Sequence, residues 1–110
     1  MKFKISPAEL HPLLKRAFQK APGKKTPITI TALDGKVYCE SSDAATFGLA
    51  EVIVPGQVIL PAKAFRQIIE TYKSVAFIEI EGSAAGLRIN SFKMPITSWN
   101  PVSKVPACFA

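Results

Sequence analysis

Residues 6–25 read SPAELHPLLKRAFQKAPGKK. Apolar side chains recur at Leu10, Leu13, Leu14, Ala17, Phe18 and Ala21, the i, i+3, i+4, i+7 spacing of a helix that buries one face. Ser6 is placed to cap its first turn, Pro7 fits the first helical position, and Glu9 stands where a capping-box carboxylate belongs. Pro22-Gly23 closes the helix, and Pro12 inside it removes one backbone hydrogen bond. The face opposite the apolar stripe carries His11, Lys15, Arg16, Gln19 and Lys20, with Lys24 and Lys25 in the exit loop. That face holds no acid. Glu9 sits in the first turn, where a carboxylate suits the helix dipole.

The pattern occurs twice, and the repetition decides the fold. Shifted by 55 residues, Phe3 falls on Val58, Ile5 on Leu60 and Leu10 on Phe65; Leu13 and Leu14 fall on Ile68 and Ile69, and Ala17 on Tyr72. Further on the offset shortens, so that residues 28–33 match 75–80 and Asp34-Gly35 matches Glu81-Gly82. Each half therefore reads strand, helix, three strands. Strands are expected over Lys2–Ile5, Pro27–Leu33 and Lys36–Glu40, and over residues 46–54, 57–60, 74–81, 87–90 and 92–98. A second helix is expected over residues 61–72. Asp34-Gly35 is a hairpin turn signal, a turn is expected to begin at Gly82, and Pro95 argues for a sheet edge or bulge.

This gives an α+β fold of two βαβββ halves, with two helices side by side on one face of antiparallel sheet. The chain of 110 residues is read as one domain, with halves at about 1–54 and 55–99 and a tail at 100–110. Both polar helix faces then point the same way. The second helix offers Lys63, Arg66, Gln67, Glu70 and Lys73.

Net charge is +6 and is unevenly placed. Residues 1–36 hold eight Lys/Arg and two acids, whereas residues 37–110 hold six of each sign, so the whole excess surrounds the first helix. Clustered positive charge suits a polyanion, nucleic acid being the commonest, and equally suits a merely basic, solvated surface. The apolar runs are far too short to span a membrane. Residues 1–5 start positive, but no hydrophobic region follows, which argues against a signal peptide. Cys39 and Cys108 form neither a zinc pattern nor a disulfide frame; they read as free thiols in a reducing, cytoplasmic setting.

The order of these pieces resembles the bacterial DNA polymerase III beta subunit, the sliding clamp, and its first domain best. That family begins with a Met-Lys-Phe strand and a capped helix, as Met1 to Ala21 do here. Its second helix opens on a Pro-Ala-basic motif followed by Phe, here Pro61-Ala62-Lys63-Ala64-Phe65. A Glu-Gly turn and two short strands come next, here from Glu81-Gly82, and the domain closes on Pro-Ala-x-Phe, here Pro106-Ala107-Cys108-Phe109. The resemblance covers nearly the whole chain and implies a DNA-clamp-like domain in a ring, with helices lining the hole and sheets outside. It implies loose contacts to duplex DNA phosphates without base readout, a processivity role in replication, and no enzymatic activity, cofactor or metal. Lys15, Arg16, Lys20, Lys24, Lys25, Lys63, Arg66 and Lys73 are the expected DNA-binding residues.

The sequence departs from the family in three ways. Family chains carry three such domains, so a ring here needs several copies joined through edge strands. The family's peptide pocket belongs to later domains and matches no position here. The segment 23–27 is also shorter than its counterpart. Expected partners are duplex DNA, further copies of the chain and replication proteins, with no membrane. The rival reading is a clamp-fold interaction or regulatory module that never encircles DNA.

Other residues invite simpler readings. His11 has no metal-spaced neighbour and reads as a surface residue. Cys39 reads as core packing, and Trp99 as a lid over the core or an interface anchor. One His, no carboxylate pair on a shared helix face, no Gly-rich phosphate loop and no nucleophile beside a base leave catalysis without support.

Overall fold

The computed structural model describes residues 1–18, 23, 25–42, 44–102, 104 and 106. Its elements run β1 (Lys2–Ile5), α1 (Pro7–Arg16), β2 (Pro27–Leu33), β3 (Lys36–Glu40), β4 (Ala45–Leu49) and β5 (Glu51–Val54). They continue as β6 (Gly56–Pro61), α2 (Ala62–Glu70), β7 (Ile78–Ser83), β8 (Gly86–Ile89), β9 (Phe92–Met94) and β10 (Ser98–Asn100). All pairings are antiparallel, in two five-stranded sheets ordered β5-β1-β7-β8-β9 and β10-β6-β2-β3-β4.

The two orders share one pattern. Each sheet takes its first two strands from one half of the chain and its last three from the other. β1 leaves its own hairpins to pair with β7, and β6 leaves its own to pair with β2. Each helix therefore carries the chain from one sheet to the other. The expected antiparallel strands and paired helices are present; the strands are shared between two sheets rather than laid in one.

Alternation explains the strands. In β1 every second side chain is buried, and β6 and β7 repeat the pattern. Their inward residues and the apolar faces of both helices bury one continuous cluster, including Phe3, Leu10, Leu14, Ile30, Val58, Phe65, Ile69 and Ile80. The helices touch each other over it. Among the described residues, no helix is long and apolar enough to cross a membrane.

The halves meet most closely at the starts of β1 and β6. The Met1 backbone nitrogen donates to the Gly82 carbonyl at 2.9 Å, and the Gly82 N–H returns to the Met1 carbonyl at 2.8 Å. A Cβ on Gly56 would stand 2.8 Å from Met1 Cβ and 3.1 Å from its Cα. A Cβ on Gly82 would stand 2.9 Å from Val58. Gly82 is thus a strand residue required by close packing, where a turn was expected; the turn comes two residues later, ahead of Gly86. The Asp34-Gly35 turn forms as expected, both residues having positive φ as the hairpin geometry requires.

Two predicted strands each divide. Residues 46–54 become β4 and β5, which lie in different sheets. Ala50 gives its N–H to Gly35 in one sheet, and Glu51 then pairs with Lys4 in the other. Residues 92–98 become β9 and β10 likewise. Pro95 has no N–H to continue the ladder, and Thr97 then donates to Ile59 across the other sheet at 2.7 Å. Apolar and β-branched residues continue through both breaks, so composition alone reads each as one strand. β10 extends to Asn100, into the stretch read as tail.

α1 also stops earlier than its stripe. Its last helical residue is Arg16, with Ala17 as C-cap donating to Leu13 at 3.1 Å. The Ala17 carbonyl is taken by the Ser41 hydroxyl, and Ala17 and Phe18 remain buried beyond the helix. Ala21 and Pro22, which the reading placed at the helix end, lie outside the described residues. α2 is trimmed to nine residues, with Pro61 at its N-cap. Pro12 is accommodated because it and Ala8, whose carbonyl it leaves unbonded, are both exposed.

Replacing Gly56 with Ala should cost about 1–3 kcal/mol, since the methyl meets backbone rather than a movable side chain. The check is a denaturant or thermal melt, where about 1 kcal/mol corresponds to roughly 4–8 °C in a domain this size.

Candidate nucleic-acid interface

α1 is built to leave its outer side cationic. Ser6 Oγ accepts from the Glu9 N–H at 3.2 Å, as the cap requires. The Glu9 carboxylate, placed by the sequence in a capping box, instead accepts the Leu49 N–H at 3.3 Å. β4 is the edge of its sheet, and its Leu49 N–H faces away from β3, since the neighbouring Ala50 N–H is the one spent on Gly35. Glu9 satisfies that open donor. One helical turn on, the Thr46 hydroxyl donates to the Leu13 carbonyl at 3.1 Å, so α1 is pinned along β4 by Glu9 and Leu13, and its C-cap Ala17 is held by Ser41 in the turn before β4. Pro12, Lys15 and Arg16 are exposed on α1, with Arg16 about two turns beyond Glu9 along the same face.

Six of the eight expected DNA-binding residues are described. Lys15 and Arg16 are exposed in the last turn of α1, and Lys63 is exposed in the first turn of α2. Arg66 is half-buried one turn further along α2. Lys25 is exposed beside α2, because the Ala62 N–H at the start of that helix donates to the Thr26 carbonyl at 2.9 Å. The loop leaving α1 is thereby tied to the end of α2 that carries Lys63. Lys73 lies beyond the other end of α2, about 13 Å away at 1.5 Å per residue. Lys20 and Lys24 lie outside the described residues. The structure thus brings Lys25 and Lys63 to one end of α2 and leaves Lys73 apart.

None of these six cations makes an ion pair among the described residues. The ion pairs found lie on the outer face of the other sheet, where Lys2 and Arg88 are shared between Glu79 and Glu81 at 3.3–4.0 Å. Cross-strand register places all four together, because Lys2 faces Glu81 and Glu81 faces Arg88. Sequence reading passed over this cluster, since its members come from three strands whose pairing only the strand exchange explains.

Other expectations meet mixed outcomes. His11 is not a surface residue: it is half-buried, and its Nε2 is buried without a hydrogen-bond partner among the described residues. Trp99 stands opposite buried Val58 in the register, on the core side of its sheet, and is 37% exposed. Cys39 is fully buried and free, and Cys108 lies outside the described residues. No group of three or more His, Cys, Asp or Glu able to hold a metal occurs among the described residues.

No family model matches this sequence, and no curated protein does. Solved structures do. A Caulobacter crescentus beta sliding clamp superposes at a TM-score of 0.77 with 21% identity, over 97% of this chain and 32% of its own. The Helicobacter pylori beta clamp in complex with carprofen gives 0.75 and 23%, over 87% of this chain and 29% of its own. The Bartonella birtlesii sliding clamp, DNA polymerase III subunit beta, bound to griselimycin gives 0.72 and 13%, over 97% and 32%. The fold is that of a sliding-clamp domain. The chain spans about 30% of the length of these clamps. At these identities the likeness establishes the clamp fold and assigns no residue a role.

Burial first, and the neighbouring Glu40 charge second, push the Cys39 thiol up from 9.0 to about 12. The unfolded chain ionises this thiol more readily than the folded one. Cys39 is thus neutral in both states at pH 7 and lowers stability only as pH rises above about 9. In a Cys108→Ser chain, a disulfide reagent at pH 8 should leave Cys39 unmodified until denaturant is added. Reaction at the free-thiol rate in the native chain contradicts the burial.

Proposed function

We propose that this chain is a clamp-type DNA-binding domain that holds duplex DNA without regard to sequence through the outer faces of α1 and α2. Lys15, Arg16, Lys25, Lys63 and Arg66 are the contacts on the described residues; Lys73 adds a more distant one, and Lys20 and Lys24 belong to the same reading. The observation that carries it is the set of cations that make no ion pair among the described residues on two adjoining helices of a clamp fold. Point charges on helices grip phosphates and read no base edges, which suits a protein that slides.

In this reading residues 1–110 work as one clamp domain, with halves at about 1–54 and 55–99. Several copies join through edge strands to surround the duplex, in the cytoplasm and in support of processive replication. The chain itself performs no catalysis. Support for a clamp role comes from the fold, which the chain shares with about a third of each clamp it resembles.

Fluorescence anisotropy with two duplexes of unrelated sequence tests this between about 50 and 200 mM salt. Both duplexes should bind alike, with affinity falling steeply as salt rises. Charge reversal at Lys15, Arg16 and Lys63 should weaken binding at least about tenfold and flatten the salt slope by about 0.9 per lost contact. Binding that ignores salt, or survives the reversal unchanged, contradicts the reading. A reversed chain that still captures a protein partner favours the interaction module instead.

A further inference from the structure

The loop that leaves α1 is closed by one residue. Thr26 Oγ1 accepts the Gly23 N–H at 3.1 Å, and the Thr26 N–H donates to the Gly23 carbonyl at 3.2 Å. The second bond is the backbone closure of a four-residue turn, and the first doubles it through a side chain. The Thr26 carbonyl is engaged as well, because it accepts the Ala62 N–H at 2.9 Å. One half-buried threonine thus joins the exit of α1 to the start of α2.

We propose, within the DNA-binding reading on which this rests, that Thr26 is a positioning residue: its hydroxyl shuts the loop, its carbonyl holds the loop to α2, and Lys25 is thereby presented with Lys63 to the backbone of one duplex.

Register brings the two lysines to one place. β2 and β6 pair antiparallel, with Ile28 opposite Leu60 and Pro27 opposite Pro61. The bond from Ala62 to Thr26 carries that register one position further, and Lys25 and Lys63 come next on either side. Each is one residue, about 3.8 Å along the backbone, from the bonded pair. Antiparallel pairs alternate between those that exchange backbone hydrogen bonds and those that do not. Thr26 and Ala62 belong to the bonded kind, so Pro27 and Pro61 fall in the other and remove no rung between these strands. Each proline instead fixes φ beside the bonded pair, and Pro27 holds Thr26 in extended backbone.

That stiffness matters for a loop lysine. A cation on a free loop loses conformational freedom when it takes a phosphate, and the loss subtracts from binding. Here folding has already ordered the backbone that carries Lys25. Lys25 and Lys63 are exposed, and neither makes an ion pair among the described residues. The first turn of α2 holds no acid. Two like charges held near each other repel, and a polyanion relieves that repulsion. The bond from Gly23 to the Thr26 hydroxyl is itself exposed, where water can serve both groups, so the core does not depend on it.

Duplex binding by fluorescence anisotropy, arranged as a double-mutant cycle, tests this. Thr26→Val keeps the branched shape and both backbone bonds and loses only the hydroxyl. It should bind about three- to tenfold more weakly, with a salt slope flatter by up to about 0.9. Thr26→Ser, which keeps the hydroxyl, should bind within about twofold of the parent. Lys25→Ala should weaken binding by itself, and adding Thr26→Val to it should cost less than about twofold more. Added to Lys15→Ala on α1, the same change should cost its full three- to tenfold, about what it costs alone. Circular dichroism confirms that each variant folds. Amide exchange gives a readout that needs no variant: the Gly23 N–H of the free parent should be protected at least about tenfold relative to an open peptide.

A folded Thr26→Val chain that binds as tightly as the parent overturns the proposal. So does an equal loss with and without Lys25, or a Gly23 amide that exchanges at the open-peptide rate. In each of these cases a parent with a steep salt slope leaves the DNA reading standing. A parent that ignores duplex overturns that reading and this inference with it.

Discussion

The exchange of first strands between the two halves is the constraint on which the structure depends. β1 pairs with β7 and β6 with β2, so neither half completes a sheet by itself. The contact that permits it is tight. Gly56 and Gly82 leave no room for side chains where Met1 packs, and Met1 and Gly82 bond reciprocally through their backbones. Because each helix joins a strand in one sheet to a strand in the other, both helices are drawn over the same core. Their adjacency follows from topology and needs no special affinity between them.

That adjacency gives the surface charge its meaning. A lone basic helix is an ordinary solvated face, and a single row of lysines would favour neither reading. Two helices held side by side by the strand exchange, with Lys25 tied back to the start of the second, carry cations that make no ion pair among the described residues. The opposite sheet shows the contrast. There Lys2 and Arg88 are matched against Glu79 and Glu81, exposed pairs that contribute little stability.

Much of this was legible in the sequence, for identifiable reasons. Ser6, Pro7 and Leu10 mark the start of α1 because capping and stripe are local. Pro27–Leu33 and Lys36–Glu40 were legible because β-branched runs flank an Asp-Gly turn. The 55-residue repeat made the pairing of helices legible as well. What stayed hidden depends on long-range geometry. Nothing local to residues 46–54 or 92–98 says that the chain changes sheets at Ala50 and after Pro95. Gly82 reads as a turn until Met1 is seen against it. Glu9 reads as half of a capping box until the edge of β4 offers it a better donor. For the site, the lysines were visible but their grouping was not: Lys25 and Lys63 share one end of α2, and Lys73 stands apart.

Nuclear magnetic resonance offers the most direct test of the central claim, that strand exchange sets two helices together as one cationic surface for DNA. Amide and side-chain shifts would be followed while a short duplex is titrated into the full chain. The account places the perturbed signals on Lys15, Arg16, Lys25, Lys63 and Arg66, with Lys2 and Arg88 unmoved. Shifts centred on Lys2, Arg88 and Lys93, or none on either helix at saturating duplex, would contradict it.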